Sequence, residues 1–205
     1  MDYSNFDFVG TVIRADEFAR SRLSAHRALH IRDVAVEARR LAVRYGYDPR
    51  KAYLAGYLHD CAKGFSEEDN HRYIEKYGIN VTKEELSLGN NLVHSKVGAY
   101  FAKEHFGVDD QEIFDAIYYH TVGRPAMSML EKIIYTSDFI EPGRSMDSLV
   151  PLKKLRSLAY EDIDRAVFEI TRSTVEYLKS LKDIYICPES LKTYDYYEKR
   201  IKNGF

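Results

Sequence analysis

The segment Gly56-Tyr57-Leu58-His59-Asp60-Cys61-Ala62-Lys63 constrains the fold of this chain more than any other. A histidine and an aspartate sit side by side in an apolar, helix-favouring run, and ionisable groups are costly to bury unless a partner compensates them. Asp48-Pro49 reads as an N-cap followed by the first helical residue and Gly64 as a C-terminal stop, which predicts one helix over residues 49–63. On such a helix His59 and Asp60 lie about 100° apart, and Lys63 comes one turn later beside both. Taken alone, a His-Asp pair is more often an N-cap or a surface pair, so the rest of the chain has to decide.

The remaining punctuation is helical throughout. Apolar positions recur at helical spacing from Arg22 to Tyr45, with His30 on that stripe and Gly46 after it. Ser66-Glu67-Glu68-Asp69 and Thr82-Lys83-Glu84-Glu85 look like capping-box starts, with Gly78 closing the first of the two helices. Leu92 to Phe106 carries His94 near its first turn, and Ile113, Ala116 and Ile117 lead to His120. Ser128 and Glu131 cap a helix on which Leu130, Ile134 and Asp138 stack at i, i+4 and i+8 until Pro142-Gly143 ends it. Helices over about 152–158 and 161–182 and a polar, tyrosine-rich one over 189–201 follow. The first dozen residues read as an irregular or short helical lead-in. No strand, repeat, Rossmann glycine motif or P-loop is apparent, so the expectation is an all-α bundle, a single domain over 1–205 with residues 1–20 as lead-in and 189–205 as terminal helix.

Composition removes several functional classes. The 30 Lys and Arg are interspersed with 32 Asp and Glu for a net charge of −2, so no basic stripe advertises a nucleic acid polymer. No 18-residue apolar stretch occurs, and Met1-Asp2-Tyr3-Ser4 lacks the regions of a signal peptide, so no membrane partner and a cytoplasmic protein are expected. Cys61 and Cys187 form no CxxC pair, which leaves nitrogen and oxygen as metal ligands.

His30, His59, Asp60, His94, His120 and Asp138 come from five helices, each on or beside an apolar stripe. A shared partner inside the bundle explains six costly burials more economically than six separate accidents, although a pH-sensing or structural histidine core is the competing reading. Four imidazoles and two carboxylates suit Fe, Mn, Zn, Co or Ni, and six ligands leave room for a second ion with a carboxylate bridging. Arg27, Lys63, Arg124 and Arg144 flank these ligands and supply the positive charge that a polyphosphate requires.

At these residues the sequence resembles the HD-domain metal-dependent phosphohydrolases. The order His30, His59-Asp60, Asp138 matches their signature, and five ordered motifs look like one branch: His26-Arg27-x-x-His30, His59-Asp60-x-Ala62-Lys63, His94-x-x-Val97-Gly98-Ala99-Tyr100, His120-Thr121-x-Gly123-Arg124-Pro125 and Ser137-Asp138-x-Ile140-Glu141-Pro142-x-Arg144. That branch is the YqeK-type proteins, symmetrical diadenosine tetraphosphate hydrolases of bacteria. Ser137 departs from it, standing where the branch usually has Ala.

The resemblance covers about residues 22–200 and implies an HD-domain helical bundle with a di-metal centre, typically iron, in its core. His30, His59, Asp60 and Asp138 would hold one ion, with Asp60 reaching a second held by His94 and His120. Asp60 and Lys63 are then the expected catalytic residues. Arg27, Lys63, Arg124 and Arg144 are the expected substrate-binding cations, with His94 and His120 facing the substrate too. Gly64-Phe65 and Tyr185 are the expected walls around the nucleoside. The implied reaction hydrolyses diadenosine tetraphosphate at its central anhydride to two ADP, and the implied assembly is a homodimer, with the tyrosine-rich terminal helix as a candidate surface. The alternatives are an HD phosphatase of another nucleotide and a nucleotide-sensing module without turnover.

Overall fold

In the computed structural model, which describes residues 6–145, 150–182 and 184–204, the chain folds into eleven α-helices, with no strand among the described residues. The first five residues of the lead-in and Asp183 lie outside the described residues. The helices are α1 (Phe8–Arg22), α2 (Ala25–Arg44), α3 (Pro49–Leu58), α4 (Glu67–Tyr77), α5 (Lys83–Ser87) and α6 (Asn90–Phe106). They continue as α7 (Gln111–Tyr119), α8 (Met129–Ile140), α9 (Leu152–Glu161), α10 (Ile163–Ser180) and α11 (Pro188–Asn203).

Most helix ends follow from the local chemistry read above. Asp48 Oδ1 accepts from Arg50 N at 2.8 Å and Pro49 opens α3, while Thr82/Glu85 and Ser128/Glu131 both close reciprocal capping boxes. Gly78 ends α4 in the left-handed conformation at φ +59°, which a residue with a Cβ adopts at a cost.

Two expectations change. The helix beginning at Pro49 stops at Leu58 instead of continuing to Lys63. From there Cys61 N bonds Leu58 O at 3.1 Å, Lys63 N bonds Asp60 O at 2.9 Å and Phe65 N bonds Ala62 O at 3.1 Å, a run of tight turns in which the His59 ring takes the Gly56 carbonyl. The lead-in contains a regular 15-residue helix, α1, whose weak periodicity reflects how little of it is buried: Thr11, Ala15 and Ala19. The tyrosine-rich α11 packs through the buried Ser190, Thr193 and Tyr197, with Thr193 donating to Val122 O at 3.2 Å, while its other positions stay partly or fully exposed.

The core is the antiparallel pair α2 and α3 packed on α7 and α8, with α6 alongside and α9 to α11 covering the far side of α8. Leu41, Leu54, Leu58, Ile113, Ile117, Leu130, Ile133 and Ile134 are fully buried within it. Gly56 lets α3 approach α2 so closely that an added Cβ would lie 2.8 Å from Ala35 Cα. This approach brings the end of α3 beside the His30 end of α2. Gly56→Ala should therefore lower unfolding stability by about 1–3 kcal/mol, read as a lower urea midpoint with an unchanged slope.

Candidate metal centre and phosphate cavity

Four histidines converge because each is held by an acceptor fixed in the fold. His59 Nδ1 lies 2.7 Å from Gly56 O, His94 Nδ1 2.7 Å from Asn90 O and His120 Nδ1 2.8 Å from Ile117 O. A carbonyl only accepts, so in all three rings Nδ1 carries the proton and Nε2 presents its lone pair inward. His30 Nδ1 lies 3.2 Å from the Glu141 carboxylate, which does the same from outside its own helix.

The inward nitrogens form two groups that share one carboxylate. His94 Nε2 and His120 Nε2 are 3.2 Å apart and lie 3.1 and 3.5 Å from Asp60 Oδ1. The other oxygen, Asp60 Oδ2, lies 3.9 Å from His59 Nε2, which in turn is 3.9 Å from Asp138 Oδ1, itself 3.1 Å from His30 Nε2. Asp60 thus has one oxygen in each group.

These donors fit divalent metal ions. His59 Nε2 is buried with no hydrogen-bond partner, and the lone pairs of His94 and His120 face each other across 3.2 Å, an arrangement that repels unless a cation lies between. Two sets, His30 with His59 and Asp138, and His59 with Asp60 and His120, each offer ligand atoms within 4.8 Å of one another. The separations of 3.1 Å (His30 to Asp138) and 3.9 Å (His59 to Asp138) are ones that ligands about 2.0–2.2 Å from a common ion span. Cys61 takes no part: its Sγ faces Gly98 O at 3.4 Å.

The electrostatics favour ligating protonation states. Burial pushes His59 down to about 4 and lowers His94 as well, keeping both rings neutral. Burial acts to raise Asp60, but the field of His59 and hydrogen bonding with His120 and His94 hold it well below the usual carboxylate range. Asp138 is depressed likewise, with burial opposed by His30, His59 and Arg144. Metal binding requires this combination of neutral imidazole and ionised carboxylate.

Above the cluster opens a cavity of about 540 Å³, lined by Arg27, Lys63 and Arg144 together with His30, Asp60, His94, His120 and Asp138. His59, fully buried, lies beneath it. Asp138, with its side chain 25% exposed, faces this cavity. Lys63 reaches it from the turn after α3, with Nζ 3.3 Å from both ring nitrogens of His94. Burial lowers the Lys63 pKa, and Arg27 and Arg144 add to that against Asp60 and Asp138. Asn90 fixes the turn by donating to Ala62 O at 3.0 Å and Lys63 O at 2.7 Å. Arg144 donates to Asp138 Oδ1 at 3.0 Å, and Arg27 Nη1 lies 4.0 Å from Asp60 Oδ2.

Four anticipated residues lie elsewhere. Arg124 is held by Glu131 at 2.6 Å and Asp115 at 3.1 Å and sits over the Tyr119 ring, so its charge belongs to the start of α8. Phe65 packs edge-on against Phe101 at 4.9 Å, Gly64 sits against the Arg22 carbonyl, and Tyr185 is placed near Thr82 and Glu85. Conversely, Glu141 and Thr121, to which the sequence motifs assign no role, belong to the site. Thr121 Oγ1 lies 3.2 Å from His120 Nε2 and 3.3 Å from His94 Nε2. Their signal in the sequence is their place in the two motifs that hold His120 and Asp138, Thr121 directly after His120 and Glu141 three residues after Asp138.

Comparison with known proteins places this geometry. The HD-domain family model matches residues 27–170, which span all six clustered side chains. The chain belongs to the HD-domain family. Among its relatives, the symmetrical bis(5'-nucleosyl)-tetraphosphatase of Halalkalibacterium halodurans is 36% identical over 89% of this chain and 94% of its own length. The protein of the same name from Bacillus subtilis is 36% identical over 86% of this chain and 92% of its own. A crystal structure from Clostridium acetobutylicum, described as a "predicted HD superfamily hydrolase involved in NAD metabolism", superposes with a TM-score of 0.85 at 32% identity, covering 92% of this chain and 97% of that one. In this HD domain the His-Asp dipeptide is the point where the two donor groups join, through the two oxygens of Asp60.

Two substitutions separate orientation of ligands from support of the fold. Glu141→Ala, which frees the His30 ring, should weaken divalent metal affinity by about 10–100-fold in a chelator competition while the helical circular dichroism persists. Arg124→Ala leaves the buried Glu131 without its guanidinium and should cost about 1–3 kcal/mol of stability in urea unfolding, with turnover of the folded protein unchanged.

Proposed function

We propose that this HD-domain protein hydrolyses diadenosine tetraphosphate at its central anhydride, giving two ADP. The observation that carries the reading is the pair of nitrogen and oxygen donor groups joined through Asp60 beneath a cavity that presents Arg27, Lys63 and Arg144. The names of the full-length relatives support the choice of substrate. A cavity of about 540 Å³ lies within the range that holds nucleotide-sized ligands.

In this reading His30, His59, Asp60 and Asp138 hold one ion, while Asp60, His94 and His120 hold the second. Divalent metals there supply water acidified to near neutral pKa and withdraw charge from the phosphorus under attack. The chain's own groups do the rest. Asp60, ionised and fixed between two imidazole sets, keeps the donor groups in register. Arg27 and Arg144, on opposite sides of the cluster, bind the two halves of the tetraphosphate chain, and their planar forks suit paired phosphoryl oxygens. Lys63 Nζ, close to His94, adds positive charge where the bridging oxygen of the central anhydride acquires negative charge as its bond to phosphorus breaks.

The proposed metal is iron. The nitrogen and oxygen donor set also admits Mn, Co, Zn or Ni, and elemental analysis of anaerobically purified protein distinguishes them. Free, buried Cys61 and Cys187 suit a reducing compartment, and we place the protein in the cytoplasm. A homodimer is the proposed assembly, with the exposed side of α11 as a candidate surface, and sedimentation tests it.

The decisive assay is product identification. Metal-loaded protein should convert diadenosine tetraphosphate to ADP alone, lose that activity on chelation and regain it with Fe²⁺ or Mn²⁺. Release of ATP with AMP, or no turnover by metal-loaded protein, overturns the assignment. Arg27→Ala should raise KM about tenfold through loss of a charged hydrogen bond, with metal content unchanged.

A further inference from the structure

The end of α8 is closed by a side chain that lies outside the cavity. The last carbonyls of a helix have no intrahelical partner and need donors from elsewhere. Ser137 O receives Glu141 N at 3.0 Å, and Asp138 O receives the Arg144 guanidinium. The carbonyls of Ile140 and Glu141 are taken by Arg156 of α9, whose Nε donates to Ile140 O at 2.8 Å and whose Nη2 donates to Glu141 O at 2.7 Å. The same Nη2 lies 3.4 Å from Arg144 O, so one guanidinium bridges both ends of the 140–144 turn.

Two groups of the site hang from that turn. Glu141, with only 4% of its surface exposed, orients the His30 ring at 3.2 Å, and Arg144 reaches back to Asp138 Oδ1 at 3.0 Å. One helical turn beyond Arg156, Tyr160 donates to Glu37 Oε1 at 2.8 Å, and Glu37 is buried on α2 two turns after His30. Helix α9 therefore fastens the His30 helix and the end of the Asp138 helix together from the side away from the cavity. The turn has one backbone bond of its own, Arg144 N to Glu141 O at 3.1 Å, and Gly143 N donates to the Glu141 carboxylate; Arg156 adds the side-chain donors that tie it to α9.

We propose that Arg156 is a positioning residue for the metal centre: its fork sets the 140–144 turn so that Glu141 holds His30 and Arg144 meets Asp138. This rests on the reading of His30, His59 and Asp138 as metal ligands. The guanidinium acts through geometry, since its Nε and Nη2 donors lie in one rigid plane at a fixed spacing, whereas the three donors of an ammonium rotate about a single point and hold no fixed fork. Its effect on metal affinity passes through Glu141.

The test is a double-variant cycle on the full chain, reading Mn²⁺ affinity by competition with a chelating dye. Arg156→Ala should weaken Mn²⁺ binding by about tenfold, and this loss should vanish when Glu141→Ala is already present, because residues acting through one contact are not additive. Arg156→Lys keeps the charge at the helix end but not the fork, and should resemble Arg156→Ala. Should either single variant fail to fold, Tyr160→Phe, which loosens the same helix without removing the guanidinium, replaces it in the cycle and should show the same coupling to Glu141. Unchanged Mn²⁺ affinity with only a lower Tm overturns the proposal, as do equal losses with and without Glu141 and full recovery by Lys. A wild-type chain that binds no Mn²⁺, Fe²⁺ or Zn²⁺ would instead overturn the reading of the ligands themselves. Tight wild-type binding that Arg156→Ala leaves intact would sink only the role of Arg156.

Discussion

The structure depends on an arrangement of lone pairs. His59, His94 and His120 each give Nδ1 to a carbonyl three or four residues back on the same stretch of chain, at 2.7, 2.7 and 2.8 Å. That settles the tautomer, the ring orientation and the direction of Nε2 in one step. With the lone pairs aimed at one another and at an ionised carboxylate, the centre of the bundle is repulsive by itself and receptive to cations. The packing of α2, α3, α6, α7 and α8 is what holds this arrangement in place.

Positive charge is distributed differently. Arg27, Lys63 and Arg144 reach the cavity from places where a helix begins, ends in turns, or has just ended; the two arginines are balanced against Asp60 and Asp138, and Lys63 lies against the His94 ring. Buried cations and anions at such spacing are costly unless each has a partner. Asp60 and Asp138 answer this twice, toward the imidazoles on one side and toward the arginines on the other. The turn after α8 is part of the same design, because it carries both Glu141 and Arg144.

Residues whose role is local were legible in the sequence. Asp48-Pro49, Thr82-Glu85 and Ser128-Glu131 announce helix starts because a cap and its partner are three residues apart, and Gly78 announces an end because it accepts a positive φ. The six clustered ionisable residues stood out because an Asp or His on an apolar stripe contradicts its surroundings. Arg124, Phe65 and Tyr185 illustrate the opposite case. Each neighbours a ligand or a break in the chain, yet their surroundings are supplied by Glu131 and Asp115, by Phe101 and Tyr73, and by Thr82 and Glu85. Adjacency along the chain does not determine which way a side chain faces once the backbone turns, and after Leu58 and after Tyr119 it turns sharply.

By itself, the sequence determined that the chain is helical, where most helices start and stop, and which six side chains need a common partner, since caps, periodicity and burial conflicts act over a few residues. Only the tertiary structure decided that Asp60 divides its oxygens between two donor groups, that Glu141 on one helix end orients His30 on another, and that Arg156 closes the turn between them. Those contacts join residues up to 111 positions apart. They exist because helices that bury their apolar faces against one another leave no freedom in where their polar ends meet.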